Sequence, residues 1–131
     1  MKICVTATGD DMSSEVDPRF GRCAYFIVVD TESMEFEAVS NESAVAAGGA
    51  GIQAAQTVAD LGVQAVLTGN VGPNAFSTLD AAGVTVYTGL SGTVKEAVER
   101  FKSGEIEESQ GPTTPPHSGV GGGGGGRGRR R

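Results

Sequence analysis

The chain has 131 residues, with sixteen acidic and ten basic side chains and a formal net charge of −6. Only its first ~110 residues hold the apolar content of a core, so one small domain over 1–108 and a tail over 109–131 are expected. Every acid lies at or before Glu108, while Arg127, Arg129, Arg130 and Arg131 sit in the tail, leaving a body near −10 and a tail near +4. A body of that sign repels phosphate backbones, which disfavours nucleic acid as a partner of the domain. No stretch reaches the ~20 apolar residues that cross a bilayer, and Met1 to Ala7 is no signal h-region, so the expected setting is the cytoplasm. There Cys4 and Cys23 are expected to remain thiols.

Lys2 to Ala7 is β-branched and apolar on both faces, the pattern of a buried central strand. Thr8 to Arg22 is a polar loop rich in turn residues. Ala24 to Asp30 reads as a second strand and Met34 to Ser40 as a third, joined by the short Thr31-Glu-Ser connection into an antiparallel hairpin. After the glycine-rich run Ala46 to Gly51 the period changes: Ile52, Ala55, Val58, Ala59 and Leu61 recur at helical spacing and Gly62 ends the helix. Val63 to Thr68 is a fourth strand. Pro73 to Ala82 is a helix with proline in its first turn, closed by Gly83, and Val84 to Tyr87 is a fifth strand. Thr93 to Phe101 is a third helix whose Thr93 and Glu96 form a capping box. From Gly111 onward the chain holds a single aliphatic residue, Val120, and six consecutive glycines, so the tail is expected to be disordered.

The order βββαβαβα with right-handed crossovers gives an α/β fold with a mixed five-stranded sheet and three helices. With the first strand central, the chain reverses its direction of progress between strands one and four. At such a switch point a crevice opens at the carboxyl ends of the strands. Four segments would meet there: Gly9 to Arg22, Asn41 to Gly51, Gly69 to Asn74 and Thr88 to Gly92. Their glycines let backbone amides approach a ligand, and two of them lead into helix N-termini, which favour anions.

Five stretches in order, Asp17-Pro-Arg-Phe-Gly-Arg-Cys23 with the strand that follows, Gly48-Gly-Ala-Gly-Ile52, Gly69-Asn-Val-Gly-Pro-Asn74, Leu79 to Gly89 and Gly92-Thr-Val-Lys-Glu-Ala97, resemble the dinitrogenase iron-molybdenum cofactor biosynthesis family, that of NifX, NafY and the NifB C-terminal domain. The resemblance covers about Met1 to Glu107. It implies a ribonuclease-H-like fold with strand order 3-2-1-4-5 and strand 2 antiparallel. It also implies a non-catalytic carrier of an iron-sulfur or iron-molybdenum-type cluster or its precursor. Partners would be a cluster donor or acceptor protein, and the chain itself a monomer or weak dimer. The alternative is a metal-free interaction module that docks a partner such as a cluster-loading ATPase. The sequence departs from several relatives in one respect: the segment from Val45 to Gly51 lacks a histidine, and the chain's single histidine, His117, lies in the tail.

The candidate cluster-binding residues are Arg19, Gly21, Arg22, Cys23, Gly48, Gly49 and Asn70, with Cys23 as the metal ligand. Cys23 follows the Phe-Gly-Arg turn beside Arg19 and Arg22, whose charge would favour the thiolate that binds iron; its other reading is a small residue at a strand start. Cys4, mid-strand among apolar neighbours, reads as core. Arg19 and Arg22 either meet an anionic ligand or form salt bridges to Asp17 or Asp30. Asp10, Asp11, Glu15 and Asp17 lack the spacing of a calcium loop and read as a solvated acidic loop. Gly48 to Gly51 lacks the lysine and hydroxyl of a phosphate-binding loop, and the first strand lacks the acids of a two-metal nuclease.

Overall fold

The computed structural model describes residues 1–42, 49–109 and 111–112. Apart from Gly111 and Pro112, the expectation of a disordered tail falls on residues outside that set. Five strands and three helices follow one another as β1 (Lys2–Ala7), β2 (Tyr25–Asp30), β3 (Phe36–Ser40), α1 (Ala50–Asp60), β4 (Ala65–Leu67), α2 (Pro73–Ala81), β5 (Thr85–Tyr87) and α3 (Val94–Ser103). The sheet order is β3-β2-β1-β4-β5, with β2 antiparallel to both neighbours and β1, β4 and β5 mutually parallel. This is the mixed sheet and strand order expected from the sequence.

The central place of β1 follows from its composition. Ile3, Val5 and Ala7 face one layer and Cys4 the other, all fully buried. A strand with apolar residues on both sides is stable only when both faces are covered. The face of Cys4 is covered by α1 and α2 through Ala54, Ala55, Val58 and Leu79. The opposite face is covered by α3 through Val94, Ala97 and Val98. Each fully buried branched side chain contributes roughly 1.5–3 kcal/mol.

Several boundaries differ from the sequence reading, those of β3 and β4 among them. β3 starts at Phe36 rather than Met34. Met34 takes a left-handed backbone with φ 63° inside a longer turn, which Asp30 organises by accepting from the Glu32 amide at 2.9 Å. β4 is confined to Ala65–Leu67, flanked by Gln64, whose amide donates to the Lys2 carbonyl at 2.9 Å, and by Thr68, whose amide donates to the Tyr87 carbonyl at 3.0 Å. At the far edge of the sheet the chain returns after α3: Glu108 bridges Tyr87 in antiparallel sense and the Ser109 amide donates to the Val86 carbonyl at 2.7 Å.

Candidate functional site

A cavity of about 610 Å³ opens at the carboxyl edge of the sheet, beside the β1–β4 junction. That size suits a small-molecule or cofactor ligand. Three walls form it: the loop Pro18–Gly21, the start of α1 from Gly49 to Ile52, and the start of α2 from Asn70 to Ala75. Of the four segments expected at this edge, three supply these walls. The fourth, Thr88 to Gly92, instead turns to the α3 side, where the Val16 amide donates to the Gly92 carbonyl at 2.8 Å.

The loop is stitched to the sheet edge. Asp17 donates its amide to the Thr6 carbonyl at 2.9 Å, and the Thr6 hydroxyl donates back to the Asp17 carbonyl at 2.8 Å. Asn70 and the loop exchange main-chain bonds, its amide donating to the Pro18 carbonyl at 2.9 Å and its carbonyl accepting from Phe20 at 3.3 Å. Close approach then makes glycine obligatory at two points. A Cβ on Gly69 would lie 2.6 Å from Pro18 Cα, and one on Gly21 would lie 2.8 Å from Gly51 Cα. Real atoms do not approach so closely, so the walls meet only because these side chains are missing.

The starts of α1 and α2 lie side by side, since a Cβ on Gly51 would sit 3.5 Å from that of Ala75. Neither helix has a side-chain cap or an acidic residue in its first turn. The first-turn amides of a helix have no acceptor within it, and they carry the positive end of its dipole. Two such ends converge on the cavity. Arg19 supplies the formal charge. Its guanidinium is largely exposed and leans on the buried carboxylate of Asp17, with Nε 3.3 Å from Oδ1 and a second nitrogen 3.4 Å from Oδ2. That hydrogen bond raises the guanidinium further above its ordinary range. Asp17 also accepts from the Arg19 amide at 2.9 Å, so of the four acids in the loop it is the one withdrawn from solvent.

Among the candidate residues, Arg19, Gly21, Gly49 and Asn70 all line the cavity. Gly48 lies outside the described residues. Arg22 is exposed and contributes nothing to the lining. Cys23 is fully buried behind the wall. Its electrostatics run opposite to the sequence reading: burial first, then the neighbouring Asp17, push its thiol up to about 12. The two arginines adjacent in sequence do not offset this, because Arg19 is directed to Asp17 and the sulfur points into the core. Cys4 packs in the same core, as expected, and its thiol is likewise raised by burial and by Cys23. Phe20 and Asn74, which fall in segments expected at this edge, and Ile52 also line the cavity, although none was among the candidate cluster-binding residues. Ile52, an apolar residue at helical spacing, carries no separate signal for that role.

Fold and site together define a small α/β domain with a cleft at its switch point, onto which two uncapped helix starts open. The chain belongs to the dinitrogenase iron-molybdenum cofactor family, whose model matches residues 1–104. The apo form of the orange protein from Desulfovibrio gigas is 47% identical, with a TM-score of 0.84 over 86% of this chain and 96% of that one. A Thermotoga protein provisionally assigned as NifB is 45% identical, with a TM-score of 0.71 over 82% of this chain and 91% of its own. An uncharacterised protein of Methanocaldococcus jannaschii is 30% identical over 99 residues, 73% of this chain and 84% of the relative. The chain is therefore a small cofactor-related protein of this family. Among the described residues, no helix is long and apolar enough to cross a membrane.

Proposed function

We propose that this protein is a non-catalytic carrier which holds a pre-assembled, anionic iron-molybdenum or iron-sulfur-type cluster, or its precursor, in the cleft and passes it to an acceptor protein. The observation that carries this reading is the convergence of two uncapped helix starts with Arg19 on one cavity. The donor set fits a cluster that arrives with its own ligands. Among the described residues no three of histidine, cysteine, aspartate and glutamate gather to hold a metal, and the cleft presents amide N–H groups and a guanidinium. These bind an anion's periphery by hydrogen bonding and charge. Arg19 would anchor one side, the amides of Ala50, Gly51 and Ala75 would neutralise the other, and the side chains of Asn70 and Asn74 would donate to sulfide or carboxylate. Phe20 and Ile52 would shield the cluster from water, and the exposed rim at Ile52 offers an acceptor an apolar contact. The relative solved as an apo form supports a fold from which a bound group can be absent.

The test is anaerobic titration of the purified protein with isolated iron-molybdenum cofactor, followed by gel filtration and metal analysis. Uptake of one cluster per chain that co-elutes with the protein is expected. If metal and protein separate completely, the carrier reading is wrong, and the metal-free docking module takes its place.

A further inference from the structure

The turn Phe20–Cys23 supplies Phe20 and Gly21 to one wall of the cleft, and its carbonyls are held by hydrogen bonds from Cys23 and Asn41. The Cys23 thiol donates to the Phe20 carbonyl at 3.2 Å. The amide nitrogen of Asn41, at the end of β3, donates to the Gly21 carbonyl at 3.2 Å and to the Cys23 carbonyl at 2.9 Å, and lies 3.7 Å from the Cys23 sulfur. The Asn41 main-chain amide adds a bond to the Ala24 carbonyl at 3.0 Å. Asn41 is 6% exposed and Cys23 is fully buried.

Buried carbonyls left without a donor are costly, so these groups decide where the turn sits. The position matters because Gly21 abuts the first turn of α1, where an added Cβ would fall 2.8 Å from Gly51 Cα and 2.9 Å from its nitrogen. Moving the Gly21 carbonyl by a fraction of an ångström therefore moves the loop wall against the amides of α1. We propose that Cys23 and Asn41 are positioning residues of the cleft, with Cys23 acting through its S–H as a hydrogen-bond donor and not as a metal ligand. The ligand in question is the one assigned by the carrier reading, on which the affinity part of the test rests; the geometric part stands without it.

Four proteins decide the matter: wild type, Cys23→Ser, Cys23→Ala and Asn41→Ala. The amide spectra of the ligand-free proteins are recorded by NMR, and each protein is then titrated anaerobically with isolated iron-molybdenum cofactor. Serine keeps a donor at the same place, so Cys23→Ser should hold the Gly21 and Gly51 amide positions and bind within about threefold of wild type. Cys23→Ala and Asn41→Ala should displace both amides and weaken binding about tenfold. Loss of uptake in Cys23→Ser as complete as in Cys23→Ala would overturn the inference in favour of ligation. Unshifted amides with unchanged affinity in both alanine variants would overturn it in favour of plain core packing. Should wild type bind no cofactor, the carrier reading fails by itself, and the amide positions alone then uphold or overturn the positioning role.

Discussion

The three helices among the described residues begin in two different ways. α3 starts with a complete capping box: the Glu96 amide donates to the Thr93 hydroxyl at 3.1 Å, and the Thr93 amide donates to the Glu96 carboxylate at 2.9 Å. α1 and α2 start from Gly49 and Gly72 with no side-chain cap at all. Where a helix has only to begin, the chain supplies its own acceptors; where the start faces the cleft, the donors are left to a ligand. Stability at the two uncapped ends is thereby exchanged for the capacity to hold an anion.

The largest effect is expected where the uncapped starts meet the loop. Gly21→Ala drives a methyl group into the backbone of Gly51 and should abolish cluster uptake while lowering stability by about 1–3 kcal/mol, seen in parallel titration and denaturant curves. Gly62→Ala is its control. That position has φ 76° with open space around it, so strain of about 1 kcal/mol should appear with uptake intact. Equal binding loss in both would mean that general stability, and not the meeting of walls, governs the cleft.

Arg19→Ala should weaken binding about tenfold, and Arg19→Lys should fall between that variant and wild type, since lysine keeps the charge but loses the planar fork. Unchanged affinity in Arg19→Ala would leave the amides as the sole anion donors. The thiols give a pH test. The folded Cys23 value of about 12 exceeds the ordinary 9.0, so the unfolded chain loses its proton first. Stability from this group is then complete below about pH 9 and declines as pH rises toward 12, by up to ~1.4 kcal/mol per unit. Denaturant midpoints should be insensitive to the thiols between pH 6 and 8, and alkylation at pH 8 should require unfolding.

The smallest effects exchange the two kinds of helix start. Thr93→Ala should cost about 1 kcal/mol and leave cluster affinity alone. Gly72→Asp, in extended backbone at φ −81° and ψ 172°, should stabilise α2 by a few tenths of a kcal/mol and weaken anion binding several-fold. Titration and thermal melts of both variants check the pair. A change of affinity in Thr93→Ala would erase the distinction between the two classes of helix start.

The fold was legible because its signals are local and periodic. β1 is apolar on both faces, α1 repeats at helical spacing, and Thr93 with Glu96 announces α3. The switch point then located the cleft, and with it Arg19, Gly21, Gly49 and Asn70. Cys23 was misread in its charge state because adjacency in sequence was taken for adjacency in space. The Arg19 guanidinium is turned to Asp17 while the Cys23 sulfur is buried in the core, so desolvation of the sulfur dominates. Asn41 was invisible, since an asparagine at a strand end is ordinary and its partners, Gly21 and Cys23, lie 20 and 18 residues away. Met34 hid the start of β3 because a left-handed methionine has no sequence mark.

The return of Glu108 and Ser109 onto β5 bears on how the protein stays apart from its neighbours. A sheet edge with free main-chain groups is a template for another chain. The β3 edge carries the charge of Glu37, whereas β5 offers Thr85, Val86 and Tyr87, and its protection is the chain's own returning segment. A chain cut after Gly104, where the family match ends, would lose that cover while keeping every element of the cleft. Its expected failing is therefore edge-to-edge self-association, with the binding site still intact inside the aggregate.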